Sequence, residues 1–399
     1  MRKGQRASAR STVGMRIQLI FVTALLLITG ACNAGGTNPG IPSAFGGPVL
    51  SNAPNLIQPD VDHTSVLKLL TKQSVIGSTV DPKNGDQNPY GLIYVKDKPL
   101  GKSLFKQGDL LICNFNDKAN VQGTGTTIEY IGSTPGSKPQ RFAQNSQLLG
   151  CASLVINSFD EVFAAAQGAK NATGFTSNGK LTQTLKNSLL VEPWGSVYVP
   201  SQTGYPPGDG LWIADASTGK IVRINLGTGG KPTYTAVISG FAVNGGKPGS
   251  ILGPSGMQYN AGTDTLFVVD GVTNTLVAFS HAYYGLIASN SIVVGKDGKT
   301  FSGPKKKYAR VVYAGQPLDG PISSTLLPNH NLVLGNTLNP NGTNLLVEIA
   351  TDGKLLATRN VDKGVAGALF GIASSGTSDS TTKIYFNDDN ANNVQVLEK

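Results

Sequence analysis

Long stretches free of chain breakers are missing: glycine fills 50 of 399 positions and proline 22. A helical bundle needs uninterrupted runs of strong helix formers, so that class is excluded, although the excess falls short of a collagenous or low-complexity chain. Charge is scarce too, at 14% of residues, and aromatic side chains make up only 7%. The formal charge of +9 is concentrated at one end. Arg2, Lys3, Arg6, Arg10 and Arg16 precede every carboxylate, and the rest of the chain holds 28 basic against 24 acidic groups, about +4. That balance is an ordinary surface and not a phosphate-tracking one, so no nucleic-acid partner is expected.

Catalytic signatures are equally sparse. His63, His281 and His330 lie far apart, with no spacing that makes a metal clasp. No G-x-S-x-G elbow, phosphate-binding glycine loop or His-Glu-x-x-His is present. The sequence therefore predicts no catalytic residue, no metal site and no cofactor. Asp388 and Asp389 form a doubled carboxylate that reads as a solvated hairpin turn. Lys305, Lys306 and Lys307 read as a solvated inter-blade loop, with contact to an acidic partner or anionic headgroups as the alternative.

The N-terminus has the three parts of an export leader. A basic stretch to Arg16 precedes an apolar run, Ile17 to Ile28, and then the small residues Thr29, Gly30 and Ala31 before Cys32. Twelve helical residues cover about 18 Å, too short for the ~30 Å hydrocarbon layer, so residues 1–31 read as a signal peptide. The Gly-Ala-Cys ending resembles a bacterial lipobox with Thr29 in place of the usual Leu, Val or Ile, which implies lipidation of Cys32; an ordinary secreted protein cut close by is the alternative. Residues 32–60 are rich in Gly, Pro, Asn and Ala and carry one charge, Asp60, the composition of a flexible tether. The expected location is the cell envelope, either membrane-anchored (periplasmic or cell-surface) or secreted, with the membrane as a partner through the lipid. Setting Cys32 aside leaves Cys113 and Cys151 as a candidate disulfide or as two buried thiols.

From residue 85 onward one pattern recurs. Gly210-LWIADASTGKIVRI-Asn225 and Thr265-LFVVDGVTNTLVAF-Ser280 each join two apolar strands through an acidic residue and a short polar turn. Further copies run 383–398, 109–132, 331–350 and, in degenerate form, 161–186. Asn114, Asp215, Asp270, Asn336 and Asp388 stand before the turns, where a short acceptor side chain can bond the turn amides. Ahead of each hairpin lies Pro, any residue, then a small one: Pro89-Tyr90-Gly91, Pro193-Trp194-Gly195, Pro254-Ser255-Gly256 and Pro321-Ile322-Ser323, with weaker copies at Cys151-Ala152-Ser153 and Leu369-Phe370-Gly371. Small residues there let backbones crowd around an axis. Six units of about 52 residues, each with an inner strand, a hairpin and an outer strand such as 234–239 or 309–314, predict an all-β, six-bladed β-propeller of four-stranded antiparallel blades over 61–399. The last hairpin ends one strand short. Part of 65–77, within the N-terminal segment 61–84, is expected to supply the missing strand and close the ring; a short helix is the alternative.

These motifs resemble the NHL-type six-bladed propellers and their lactonase-like relatives of the SMP-30 superfamily, over about four fifths of the chain. The stretch Asn84-GDQNPYGLIYV with Gly123-TGTTI is similar to uncharacterised exported bacterial NHL-like lipoproteins. The lactonase branch implies a divalent cation held on the axis by Glu, Asn and Asp, often from the middle position of the Pro-x-Gly motif. Here that position holds Tyr90, Trp194, Ser255 and Ile322, with Ala152 and Phe370 in the weaker copies, and only Asn88 and Glu192 stand beside it. A hard cation needs several oxygen ligands, so the departure argues against a metal-dependent lactonase. Tyr90, Trp194 and Phe370 are instead candidates for binding at a channel mouth, or for packing between blades. The expected function is a binding or scaffolding module that meets a protein or a glycan; the alternative is a hydrolase or lyase of the lactonase-like type with an axial site the sequence does not reveal.

Overall fold

The structure, a computed structural model, describes residues 61–201, 208–227, 231–338 and 342–399. The leader, Cys32 and the tether lie outside the described residues.

The strands pair into six sheets, one per repeat. Their innermost strands are Gln87–Tyr94, Cys151–Ile156, Pro193–Val199, Pro254–Asn260, Pro321–Leu326 and Ile372–Ser375, numbered here as blades 1 to 6. Each inner strand lies against the next in sequence order, and the sixth lies against the first, which closes a ring. The chain is an all-β, six-bladed propeller.

Middle strands explain why the ring holds together. Gly210–Asp215 is buried at every position, so its apolar run is unbroken and not alternating. Successive side chains still point to opposite faces. Leu211 and Ile213 pack on Phe163 and Ala165 of blade 2, whereas Trp212 and Ala214 pack on Leu266 and Val268 of blade 4. The same division recurs at all six blade interfaces.

Three of the five turn residues close their own hairpins: Asp215 accepts from the Thr218 amide at 3.0 Å, Asp270 from Val272 at 2.9 Å and Asp388 from Ala391 at 3.2 Å. Among the described residues the two asparagines bond connecting segments: Asn114 donates to the Thr79 carbonyl at 3.0 Å, and Asn336 accepts from the Asp319 amide at 3.1 Å.

The N-terminal segment contains both a helical turn and a strand. Val66–Leu69 is one turn of helix; Lys72–Ser78 then pairs antiparallel with Asn393–Glu398 as the fourth strand of blade 6. Cys113 on blade 1 and Cys151 on blade 2 form a disulfide, with Cα atoms 5.8 Å apart.

One insertion was not legible in the repeat. Between its third and fourth strands, blade 4 sends out a short helix, Ala282–Gly285, and a strand, Ile292–Val294, which pairs in parallel with the outer edge of blade 3. Arg223 of blade 3 fastens it, donating to the Tyr283 and Leu286 carbonyls at 3.1 and 3.3 Å. Lys305, Lys306 and Lys307 belong to this insertion and not to a loop between blades; Lys305 and Lys307 place their ammonium groups over the Tyr308 ring.

Candidate binding funnel on the ring axis

The small residues of the recurring motif form a collar where blades meet. A Cβ on Gly91 would lie 3.0 Å from Ser153 Cα, one on Gly195 would overlap the Ser255 carbonyl, and one on Gly256 would lie 2.9 Å from the Ser323 carbonyl carbon. Gly371 abuts the Tyr90 backbone in the same way. Each small residue therefore admits the backbone of the next blade, which brings the six inner strands close to the axis.

Preceding the collar, the axis is plugged. Tyr90 lies between Phe115 and Phe370, stacked at centroid distances of 4.0 and 3.7 Å, and Trp194 leans on it at 5.6 Å. Tyr90, Trp194 and Phe370 are 1%, 4% and 8% exposed. The structure does bring the three sequence candidates together at one end of the axis, but as a packed cluster and not as an open mouth. Phe115 completes it; the only sequence signal for Phe115 was an aromatic residue directly after Asn114.

A polar layer covers the plug. The Tyr90 hydroxyl donates to Gln122 at 3.4 Å, and the Asn88 amide faces Asp389 and accepts from Asn116 at 2.7 Å. Burial, with Asp388 beside it, pushes the Asp389 carboxyl up to about 7. Burial likewise raises Glu192, helped by Asp215.

Beyond the collar the axis widens into a funnel of about 590 Å³, to which all six blades contribute. Leu92, Leu154, Met257 and Ile372 line its apolar depth. The walls carry hydroxyls that bond across blades: Ser153 with Ser196 at 2.8 Å, Thr325 with Ser374 at 3.0 Å, and Ser158 with Tyr198 at 3.3 Å. Burial pushes the Tyr198 phenol up to about 12. Ser324 Oγ, in the narrow passage between plug and funnel, is buried without a partner. The rim on one side is the loop 96–106, braced by Leu100 N donating to Asp160 at 2.5 Å and Leu104 N to the Ser177 carbonyl at 3.0 Å.

The axial cation implied by lactonase-like propellers does not fit these residues. The side chains at the inner-strand starts are Tyr, Ala, Trp, Ser, Ile and Phe. Among the described residues no group of three His, Cys, Asp or Glu side chains is placed to hold an ion. The histidines are engaged elsewhere: His63 with Asp352, His281 stacked on Tyr308, and His330 with Asn260.

No protein-family model matches the chain, and no curated protein matches it. Solved structures match its fold. A Bacteroides thetaiotaomicron protein of unknown function aligns with a TM-score of 0.51 at 10% identity, over 82% of this chain and 76% of that one. A chain of the nidogen–laminin complex aligns at 0.50 with 15% identity, over 74% and 87%. Virginiamycin B lyase from Staphylococcus aureus aligns at 0.45 with 16% identity, over 79% and 82%. At such identities the likeness is one of fold alone.

Proposed function

We propose that the chain is an exported, lipid-anchored propeller that acts as a binding or scaffolding module in the cell envelope and grips its partner at the funnel. One observation carries the reading. A cavity of about 590 Å³, the size of a ligand site, opens at one end of the axis while the other end is filled by stacked aromatic rings. The wall groups are paired with one another, which suits shape recognition better than bond-breaking. The disulfide supports an oxidising compartment, and the leader with Cys32 supports the anchor.

A hydrolase or lyase reading draws on Asp389, since a carboxyl near neutrality suits general acid–base work. The plug separates it from the funnel, so this reading ranks second.

In cells making the full chain, Cys32→Ala should move the protein from the membrane to the soluble fraction. A photo-crosslinker at Leu100 on the funnel rim should give a discrete adduct, and one at exposed Val365 should not. Unchanged fractionation would remove the anchor from the account, and equal adducts at both positions would remove the funnel.

A further inference from the structure

Resting on the funnel as the binding site, we propose that its ligand is an acidic protein segment tipped by an apolar side chain. The loop 96–106 contains Lys96, Lys98, Lys102 and Lys106; Lys96 and Lys98 line the funnel itself, where the carboxylates are Asp97 and Asp160. All four lysines are exposed, and none forms an ion pair among the described residues. Leu100 stands in their midst, 77% exposed. The loop is held in place despite this, since the Ser177 hydroxyl donates to the Lys102 carbonyl at 3.3 Å and Leu100 N to Asp160. A fixed lip with two lysines in excess of its carboxylates, Asp97 and Asp160, stands beside an apolar funnel and complements carboxylates that flank an apolar tip.

The polar groups of the wall favour a protein anchor over a sugar. A sugar requires free hydrogen-bonding edges and an open ring face. Apart from Ser324 in the passage beneath, the hydroxyls Ser153 and Ser196, Thr325 and Ser374, and Ser158 and Tyr198 are paired with each other, and Tyr94 is stacked on Tyr385 at 5.5 Å. What remains available is an uncharged apolar depth, in which Met257 can adapt to an inserted side chain.

Isothermal titration with the capped peptide Ac-Glu-Asp-Gly-Trp-Gly-Asp-Glu-amide tests this. Saturable one-to-one binding is expected, weakening about tenfold or more between about 50 and about 500 mM salt. The triple variant Lys96→Glu, Lys98→Glu, Lys102→Glu should weaken it by a similar factor, and Gln258→Trp, which fills the funnel, should abolish it. If Gln258→Trp fails to fold, the exposed lip variant decides. Equal binding of a peptide with lysine at the four acidic positions, or no effect of the lip variant, would overturn the proposal. Preferential binding of a neutral glucose tetrasaccharide would overturn the protein segment while leaving the funnel reading intact. Saturation by neither probe would overturn both.

Discussion

The Ser65 hydroxyl donates to the Glu348 carboxylate at 2.6 Å, joining residues 283 positions apart. The same carboxylate accepts the Val66 and Leu67 amides, each at 2.9 Å, so a blade 5 side chain anchors the helical turn that leads into the closing strand. Burial raises the Glu348 carboxyl, and these donors oppose the rise. Glu348→Ala leaves three buried donors unsatisfied, a loss of about 3 kcal/mol. Differential scanning calorimetry should show a Tm several degrees lower, and proteolysis should begin within 61–70. Deleting 61–80 removes the closing strand altogether and should collapse the unfolding transition. Normal melting of the deletion would contradict closure by this strand.

The collar leaves no room for a side chain at position 195. Gly195→Ala forces a Cβ into the Ser255 carbonyl, which is backbone and cannot rotate away. The blades must separate locally, at a cost of about 3 kcal/mol or more. Urea titration should give a lower midpoint with an unchanged slope, whereas Gly101→Ala, with nothing near its added methyl, should melt like the parent.

Where the closing segment crosses blade 1, a buried pair of carboxylates sets a pH dependence. Burial, then the neighbouring Asp81, pushes Glu129 up to about 9 from its usual 4.5. Burial alone would raise Asp81 as well, but its bonds from Arg141 and Glu129 hold it below the usual range. Folded Glu129 retains a proton that the unfolded chain has lost, so its contribution is present below 4.5 and disappears as pH rises toward 9. Asp81 has the opposite sign and loses its contribution only in acid, below 3.8. Thermal melts should therefore show stability declining from pH 5 to pH 9, and Glu129→Gln should flatten the decline. An equally steep decline in the variant would exclude Glu129 as its source.

Much of the fold was legible because propeller blades repeat and bury both faces of their middle strands. Leu211-Trp212-Ile213-Ala214 announces such a strand, since Leu211 and Trp212 both meet a neighbouring blade. Val162–Ala166 does the same work with small alanines, so its repeat appeared degenerate. The strand Ile292–Val294 was hidden because it extends the already four-stranded sheet of blade 3 from within blade 4, a relation that local pattern does not encode. The candidate site divided likewise. Tyr90, Trp194 and Phe370 were found through their place in the motif, but whether aromatic rings line an opening or fill it depends on all six blades at once. The funnel was invisible because Leu92, Leu154, Met257 and Ile372 are ordinary inner-strand residues until the ring brings them together.

The account turns on an axis open at one end and closed at the other, and engineered thiols test it most directly. In a Cys32→Ser background, cysteines at Ser196 and Gln258 should react with a bulky maleimide in the native protein. Cysteines at Ala152 and Ile322, in the aromatic cluster, should react only after denaturation. Equal labelling of the two pairs, or faster labelling at 152 and 322, would contradict the central claim.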